Sequence, residues 1–123
     1  MNGIILEQFQ TWRAEIAAEL TDARQALADA ETARAAAQTA RDAIAAAREN
    51  THRAASTLGR EVAGAIRARL GRGDDELRQA DGVVARAQGA AENARAIVAD
   101  LENALLQTTK LLTPPPAEEA GAA

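Results

Sequence analysis

The residues of this chain that could carry out chemistry are few, and His52 with Ser56 is the pair closest to a catalytic spacing. They are the only histidine and the only serine, and four residues apart they would lie one turn from each other on a helix. A serine nucleophile needs a base at hydrogen-bond distance, an orienting acid and an oxyanion pocket. A thin helical hairpin, which the rest of the sequence predicts, has no such pocket. We therefore expect no catalytic residues and a protein that is not an enzyme.

Metal chemistry is limited by the same composition. With one histidine and no cysteine, the chain cannot build a multi-histidine or thiolate zinc site, nor a disulfide. The acid pairs Asp74–Asp75 and Glu118–Glu119 are explained by the first turn of a helix and by a solvated tail. We expect no metal and no cofactor.

Arginines recur at intervals of seven, and a basic stripe on a helix can follow phosphates. No aromatic residue stands between them for base stacking, and the basic block 32–72 lies between two acidic segments that would repel phosphate. We interpret the arginines as solvated flanks of a coiled coil, with an acidic partner surface as the second interpretation, and expect no nucleic acid. These residues form two sets with that spacing: Arg34, Arg41 and Arg48, and then Arg53, Arg60 and Arg67.

The tripeptide Arg72–Gly73–Asp74 has the sequence that integrins read in exposed loops. We expect no secretion signal in this protein. Gly71 suits a helix C-cap and Asp74, Asp75 and Glu76 suit a helix first turn, so we interpret 71–74 as a turn between two helices.

Composition favours helices with a thin core. Alanine accounts for 34 of the 123 residues, and it is the best helix former but buries little area. No apolar run approaches the roughly 18 residues of a membrane span, and we expect no cleavable signal. We expect no transmembrane segment and a protein that is cytoplasmic or incorporated in a virion.

Two stretches place apolar or small residues at alternating intervals of three and four, the pattern of a coiled-coil seam. The first comprises Ala33, Ala37, Ala40, Ile44, Ala47, Thr51, Ala54, Leu58, Val62, Ala65 and Arg69, with Ile66 and Leu70 near its end. The second comprises Leu77, Ala80, Val84, Ala87, Ala91, Ala94, Val98, Leu101, Leu105, Thr108 and Leu112.

Folding the chain at 71–74 brings these seams together. Leu70 then faces Leu77 and Ile44 faces Leu101, while the arginines before the turn face Asp74 to Asp81. The sequence thus predicts an all-α protein: a long, alanine-rich, coiled-coil-like antiparallel hairpin over 33–112, a protruding amphipathic helix over 1–32, and a disordered Pro/Ala/Glu tail over 113–123.

The segment 48–57 is the weak point of the first arm, because Asn50 and Thr51 could cap a new helix. The seam crosses 50–53 in phase, which favours one continuous helix. The alternative is a chain that folds back at 48–53 and completes a three-helix bundle.

The predicted hairpin leaves residues 4–32 without a partner, and this segment holds both aromatic residues of the chain. Exposed apolar surface of this size marks an interaction site. We predict a partner-docking surface of Ile4, Ile5, Leu6, Phe9, Trp12, Ile16 and Leu20. A spare stripe on the second arm, at every seventh residue, predicts an oligomer contact through Val83, Ile97 and Leu111, with Ala90 and Ala104 between them.

These patterns indicate a structural or assembly protein that forms a homo-oligomer and binds other proteins of a large complex. A bacteriophage virion, with the chain as accessory, fibre or scaffold component, is the setting that composition suggests. The alternative is an amphipathic helical coat on a lipid or polymer surface, in the manner of phasins. Against that alternative, the first segment has only Arg13 and Arg24 as basic residues.

Overall fold

A computed structural model of the chain describes residues 3–57 and 63–113, apart from the side chains of Ile4 and Ala63. Helix α1 spans Gly3–Thr57 and helix α2 spans Ala63–Leu112. The two helices pack against each other as a hairpin, which confirms the predicted all-α class. The predictions for Leu58, Arg60, Val62 and the tail from Pro114 onward lie outside the described residues.

Both helices are rich in alanine and in long unbranched side chains, which favour the helical conformation. The hydroxyl groups of several threonines within them hydrogen-bond to backbone carbonyls of the same helix. The Thr51 hydroxyl donates to the Ala47 carbonyl oxygen at 3.0 Å, and Thr21 donates in the same way to Ala17. A threonine satisfied in this way has no capping role. Helix α1 therefore continues through 48–53, which confirms continuity and excludes the fold-back that a three-helix bundle would need.

The predicted turn at 71–74 is wrong. Helix α2 runs through these residues, and no described glycine has a positive φ. Two interior glycines cost about 1 kcal/mol each relative to alanine. A longer hairpin offsets that cost, because it buries Leu20 and Val98, and a large aliphatic side chain contributes about 1.5–3 kcal/mol on full burial.

The register of the hairpin is also different from the predicted one. Ile44, which was expected to face Leu101, lines a groove with Ala80 and Val83. Asp74 and Asp81 were expected to face arginines just before the turn, and they pair instead with Arg48 and Arg41 of α1.

The hairpin divides into two compact units. One joins the part of α1 up to Leu27 with the part of α2 from Asn93, and the other comprises Ala28–Glu92. In the first unit Leu20 and Val98 are buried, and Arg24 lies 3.5 Å from Glu102. The prediction that residues 4–32 protrude without a partner is therefore wrong.

The seam of α2 is confirmed, whereas the seam of α1 is only half correct. Every predicted seam residue from Leu77 to Leu112 is buried or half-buried. In α1 the half-buried positions include Ala37, Ile44 and Thr51 as predicted, but Arg41 and Arg48 replace Ala40 and Ala47. The seam is shifted by one residue at every second position.

We expect Gly71→Ala to stabilise the protein by about 0.5–1 kcal/mol, because a helical glycine gains from a Cβ where space allows. Nothing lies within 4 Å of the Cβ that this change would add. Denaturant unfolding followed by circular dichroism, at one fixed protein concentration, measures the effect. Gly89→Ala, where the space is also open, is the matched control. A loss of stability at Gly71 alone would contradict the helical assignment.

We expect Leu20→Ala to destabilise the protein by about 2–4 kcal/mol, because truncation of a buried leucine loses apolar burial and leaves a cavity. Leu20 is 3% exposed, whereas Leu106 is 52% exposed. Leu106→Ala is therefore the control, with an expected cost below about 1 kcal/mol. The same denaturation measurement compares the two, and equal costs would contradict the pairing of the N-terminal segment with α2.

Candidate interaction surface

The two edges of the helix pair differ in chemistry, and heptad positions describe this difference most simply. Seam residues take positions a and d. In α2, Val84 is at position a and Ala87 at position d; in α1, Leu20 is at position a and Ala23 at position d. Position e follows d, and position g precedes a. In an antiparallel pair the e positions lie along one edge and the g positions along the other.

The e edge is closed by ion pairs between the helices. In the unit 28–92 the Arg41 Nε lies 2.8 Å from an Asp81 carboxylate oxygen, and Arg48 donates to Asp74. In the other unit Arg24 pairs with Glu102. Their carboxylates, on Asp74, Asp81 and Glu102, all occupy position e of α2.

Arg41 contacts two carboxylates, those of Asp81 and Asp42. Its hydrogen bond to Asp81, followed by the charge of Asp81 and a contact with Asp42, raises the pKa of the guanidinium above its usual value. Arginine is protonated at every physiological pH, so the pair responds to salt through screening. Arg41 and Arg48 thus belong to the seam, which corrects their interpretation as solvated flanks.

The g edge carries most of the exposed large hydrophobic side chains, although Glu19 and Glu76 also occupy position g. Seven large hydrophobic side chains are exposed among the described residues, and five of them occupy position g: Ile5, Trp12, Val83, Ile97 and Leu111. In the unit 28–92 this edge forms a groove lined by Ala37, Ala40 and Ile44 of α1 and by Ala80 and Val83 of α2, with Glu76 and Gln79 at its border. Apolar side chains left uncovered in this way mark a contact surface.

The predicted docking residues divide into three groups. Ile5, Leu6 and Trp12 are exposed, and Phe9 and Ile16 are half-buried. Leu20 is buried in its own chain, so its assignment to a docking surface is wrong. The side chain of Ile4 lies outside the described residues.

Phe9 and Trp12 contact each other. Their ring centroids are 5.1 Å apart with an interplanar angle of 89°, an edge-to-face arrangement. Phe9 lies at seam position d and Trp12 at position g. Phe9 therefore holds the indole from the seam side while 43% of Trp12 stays exposed.

The residues considered for catalysis or recognition do not form a site with one another. The Ser56 hydroxyl donates to the Arg53 carbonyl oxygen at 2.7 Å, and His52 is exposed on the same helix. Asp74 of the Arg72–Gly73–Asp74 tripeptide is helical and binds Arg48, so the tripeptide is not a loop. Across the described ranges, no three His, Cys, Asp or Glu side chains group as metal ligands.

Within the described residues, neither helix has a stretch long and apolar enough to cross a membrane. Comparisons with known protein families, with curated protein sequences and with solved structures find no match.

The interhelical ion pairs are the contacts that sequence reasoning missed, although a signal for them exists. Arg41 and Arg48 are seven residues apart, and so are Asp74 and Asp81. An antiparallel register that places Arg41 beside Asp81 also places Arg48 beside Asp74, although Arg34 with Arg41 and Arg60 with Arg67 have the same spacing. Matching these spacings would have included the observed register among a few candidates.

We expect Arg48→Ala and Asp74→Ala to show a coupling energy of about 0.5–1 kcal/mol in a double-mutant cycle, falling in 1 M salt, because the pair is partly exposed. Denaturant unfolding of the four proteins measures it. A cycle on Arg72 and Asp74, which lie two apart on one helix and do not face each other, should give no coupling. Coupling in the second cycle and not in the first would restore the turn at 71–74.

Proposed function

We propose that this chain is a non-enzymatic structural protein that self-associates through the apolar g edge of its hairpin and so builds part of a larger protein assembly. The observation that carries the proposal is the clustering of exposed large hydrophobic side chains at one heptad position of both helices. The largest of these exposures on α2 are Ile97 at 54% and Leu111 at 58%.

The small number of buried apolar side chains in a single chain supports association. The buried hydrophobic residues of the described chain are Leu20, Ala91 and Val98. Ordering each residue costs about 1–2 kcal/mol of backbone entropy, while full burial of a large aliphatic side chain contributes about 1.5–3 kcal/mol. A seam with so few buried side chains gains from any contact that covers Val83, Ile97 and Leu111.

The N-terminal end of α1 extends the proposal to a second protein. Ile5, Leu6 and Trp12 expose large apolar side chains close together on one helix. Tryptophan is enriched at binding hot spots, so we assign this end to docking on another component of the assembly. The alanine-rich, cysteine-free composition suggests a bacteriophage virion, with the chain as an accessory, fibre or scaffold component.

A coat on a lipid or polymer surface is the alternative function, and exposure of Trp12 is the observation in its favour. Residues 1–31 carry six acidic and two basic residues, a balance that anionic lipid disfavours. Trp12 is the only tryptophan, so its fluorescence reports the contact directly. An emission shift with phosphatidylcholine–phosphatidylglycerol vesicles would support the coat, and no shift would support protein docking.

We expect light scattering coupled to size-exclusion chromatography to give a mass that is a multiple of the 12.8 kDa chain. Ile97→Lys should shift the protein toward the single-chain mass, because it places a charge in the apolar contact. The matched control is Leu106→Lys, since Leu106 is equally exposed but lies at position b, away from the g edge. A single-chain mass for the native protein at high concentration would contradict self-association.

A further inference from the structure

Helix α2 carries a second heptad strip beside its seam. The strip alternates position g with position c, at intervals of three and four, and such residues share one side of a helix. Ala104 is half-buried and the other members are exposed. We call these residues the outer strip: Gln79, Val83, Arg86, Ala90, Asn93, Ile97, Asp100, Ala104 and Gln107.

The charges of the outer strip are complementary about its centre. Arg86 lies seven residues before Asn93 and Asp100 lies seven residues after it. Neither Arg86 nor Asp100 has an ion-pair partner among the described residues, whereas Arg41, Arg48 and Arg24 are paired at the other edge. The outer strip therefore presents one free cation and one free anion at equal distances from its middle.

The apolar members of the strip are complementary in size about the same centre. Reversing the helix direction around Asn93 brings Ala90 opposite Ile97 and Val83 opposite Ala104, to within one helical turn. Each large side chain then meets an alanine, which close packing favours. Gln79 and Gln107 come opposite each other at the ends, where amide side chains can hydrogen-bond.

We propose that the outer strip is a two-fold symmetric contact in which α2 pairs antiparallel with α2 of a second copy, with the symmetry axis beside Asn93. The inference rests on the proposed self-association and names its geometry. Two ion pairs form, each between Arg86 of one copy and Asp100 of the other.

Charge selects a second copy in antiparallel orientation. A two-fold contact requires a surface that is complementary to itself, and the outer strip has that property. A parallel, in-register pair would place Arg86 opposite Arg86 and Asp100 opposite Asp100, and like charges in a contact oppose association. A partner of different sequence would not require the strip to be complementary about its own middle.

Charge reversal tests the contact. Arg86→Asp and Asp100→Arg should each weaken association about tenfold or more in sedimentation equilibrium, because each places like charges opposite each other. The double variant exchanges the two charges and should restore association to within about threefold of the native protein. Arg78→Asp and Glu92→Arg are the matched controls: they are also fourteen residues apart on α2, but at position b. These controls should leave association unchanged.

Cross-linking tests the axis independently. The chain has no cysteine, so Asn93→Cys introduces a single thiol that lies beside its own copy in the proposed dimer. Mild oxidation should give a disulfide-linked dimer from Asn93→Cys and little from Ala99→Cys, which lies at position b. Circular dichroism of every variant checks that the helices are retained.

The outcomes separate the two proposals. Weakening by both single reversals, rescue by the double variant and selective cross-linking at position 93 support the antiparallel contact. Self-association that is unchanged in both single variants overturns that contact and leaves the proposed function standing. Failure of the double variant to recover, with helicity intact, also overturns the contact. A native protein that sediments as a single chain overturns both.

Discussion

An alanine-rich seam is the constraint from which the other features of this hairpin follow. Alanine packs nearly as well against one small neighbour as against another, so the apolar contact of α1 with α2 differs little between registers. The register is then determined by the few residues whose size or charge differs from that of alanine. Arg41 with Asp81 and Arg48 with Asp74 match in charge and spacing, while Leu20 and Val98 are buried in the hairpin that results. Exposed ion pairs add little stability individually, but they disfavour registers of similar apolar energy in which these charges do not meet.

The alanine-rich seam also explains why the two edges of the helix pair differ in chemistry. The three carboxylates of α2 that pair with α1 occupy position e, so the ion pairs between the helices lie along one edge of each unit. Most of the exposed large apolar side chains lie at position g. Two helices pack along one seam only, so they cannot cover this second edge themselves. Val83, Ile97 and Leu111 remain exposed for a geometric reason.

The proposed function of this protein depends on its surface contacts. The polar groups that might have formed a reactive site are satisfied locally, as Ser56 is by the Arg53 carbonyl and Asp74 by Arg48. The proposed self-association through the g edge and the proposed docking by the end of α1 use the apolar side chains that stay exposed. In the proposed dimer, Arg86 and Asp100 repeat between copies the role that Arg41 and Asp81 have within one chain, which is to fix the register of an apolar contact.

The sequence by itself determined the all-α class, the continuity of α1 through Thr51 and the seam of α2, where Val84, Val98, Leu101 and Leu105 mark the inner side unambiguously. It also identified the spare stripe at Val83, Ile97 and Leu111. The inner side of α1 was decided only by the tertiary structure, since alanines surround that helix on all sides between Ala33 and Ala47 and do not distinguish one direction. The sequence around Gly71 and Gly73 was interpreted as a turn because the free-energy cost of a glycine in a helix is visible in the local sequence. The burial that offsets this cost comes from Leu20 and Val98, which are distant in the chain. Local propensity is readable from neighbours in sequence; register is a balance of distant contacts, and only the folded hairpin brings them together.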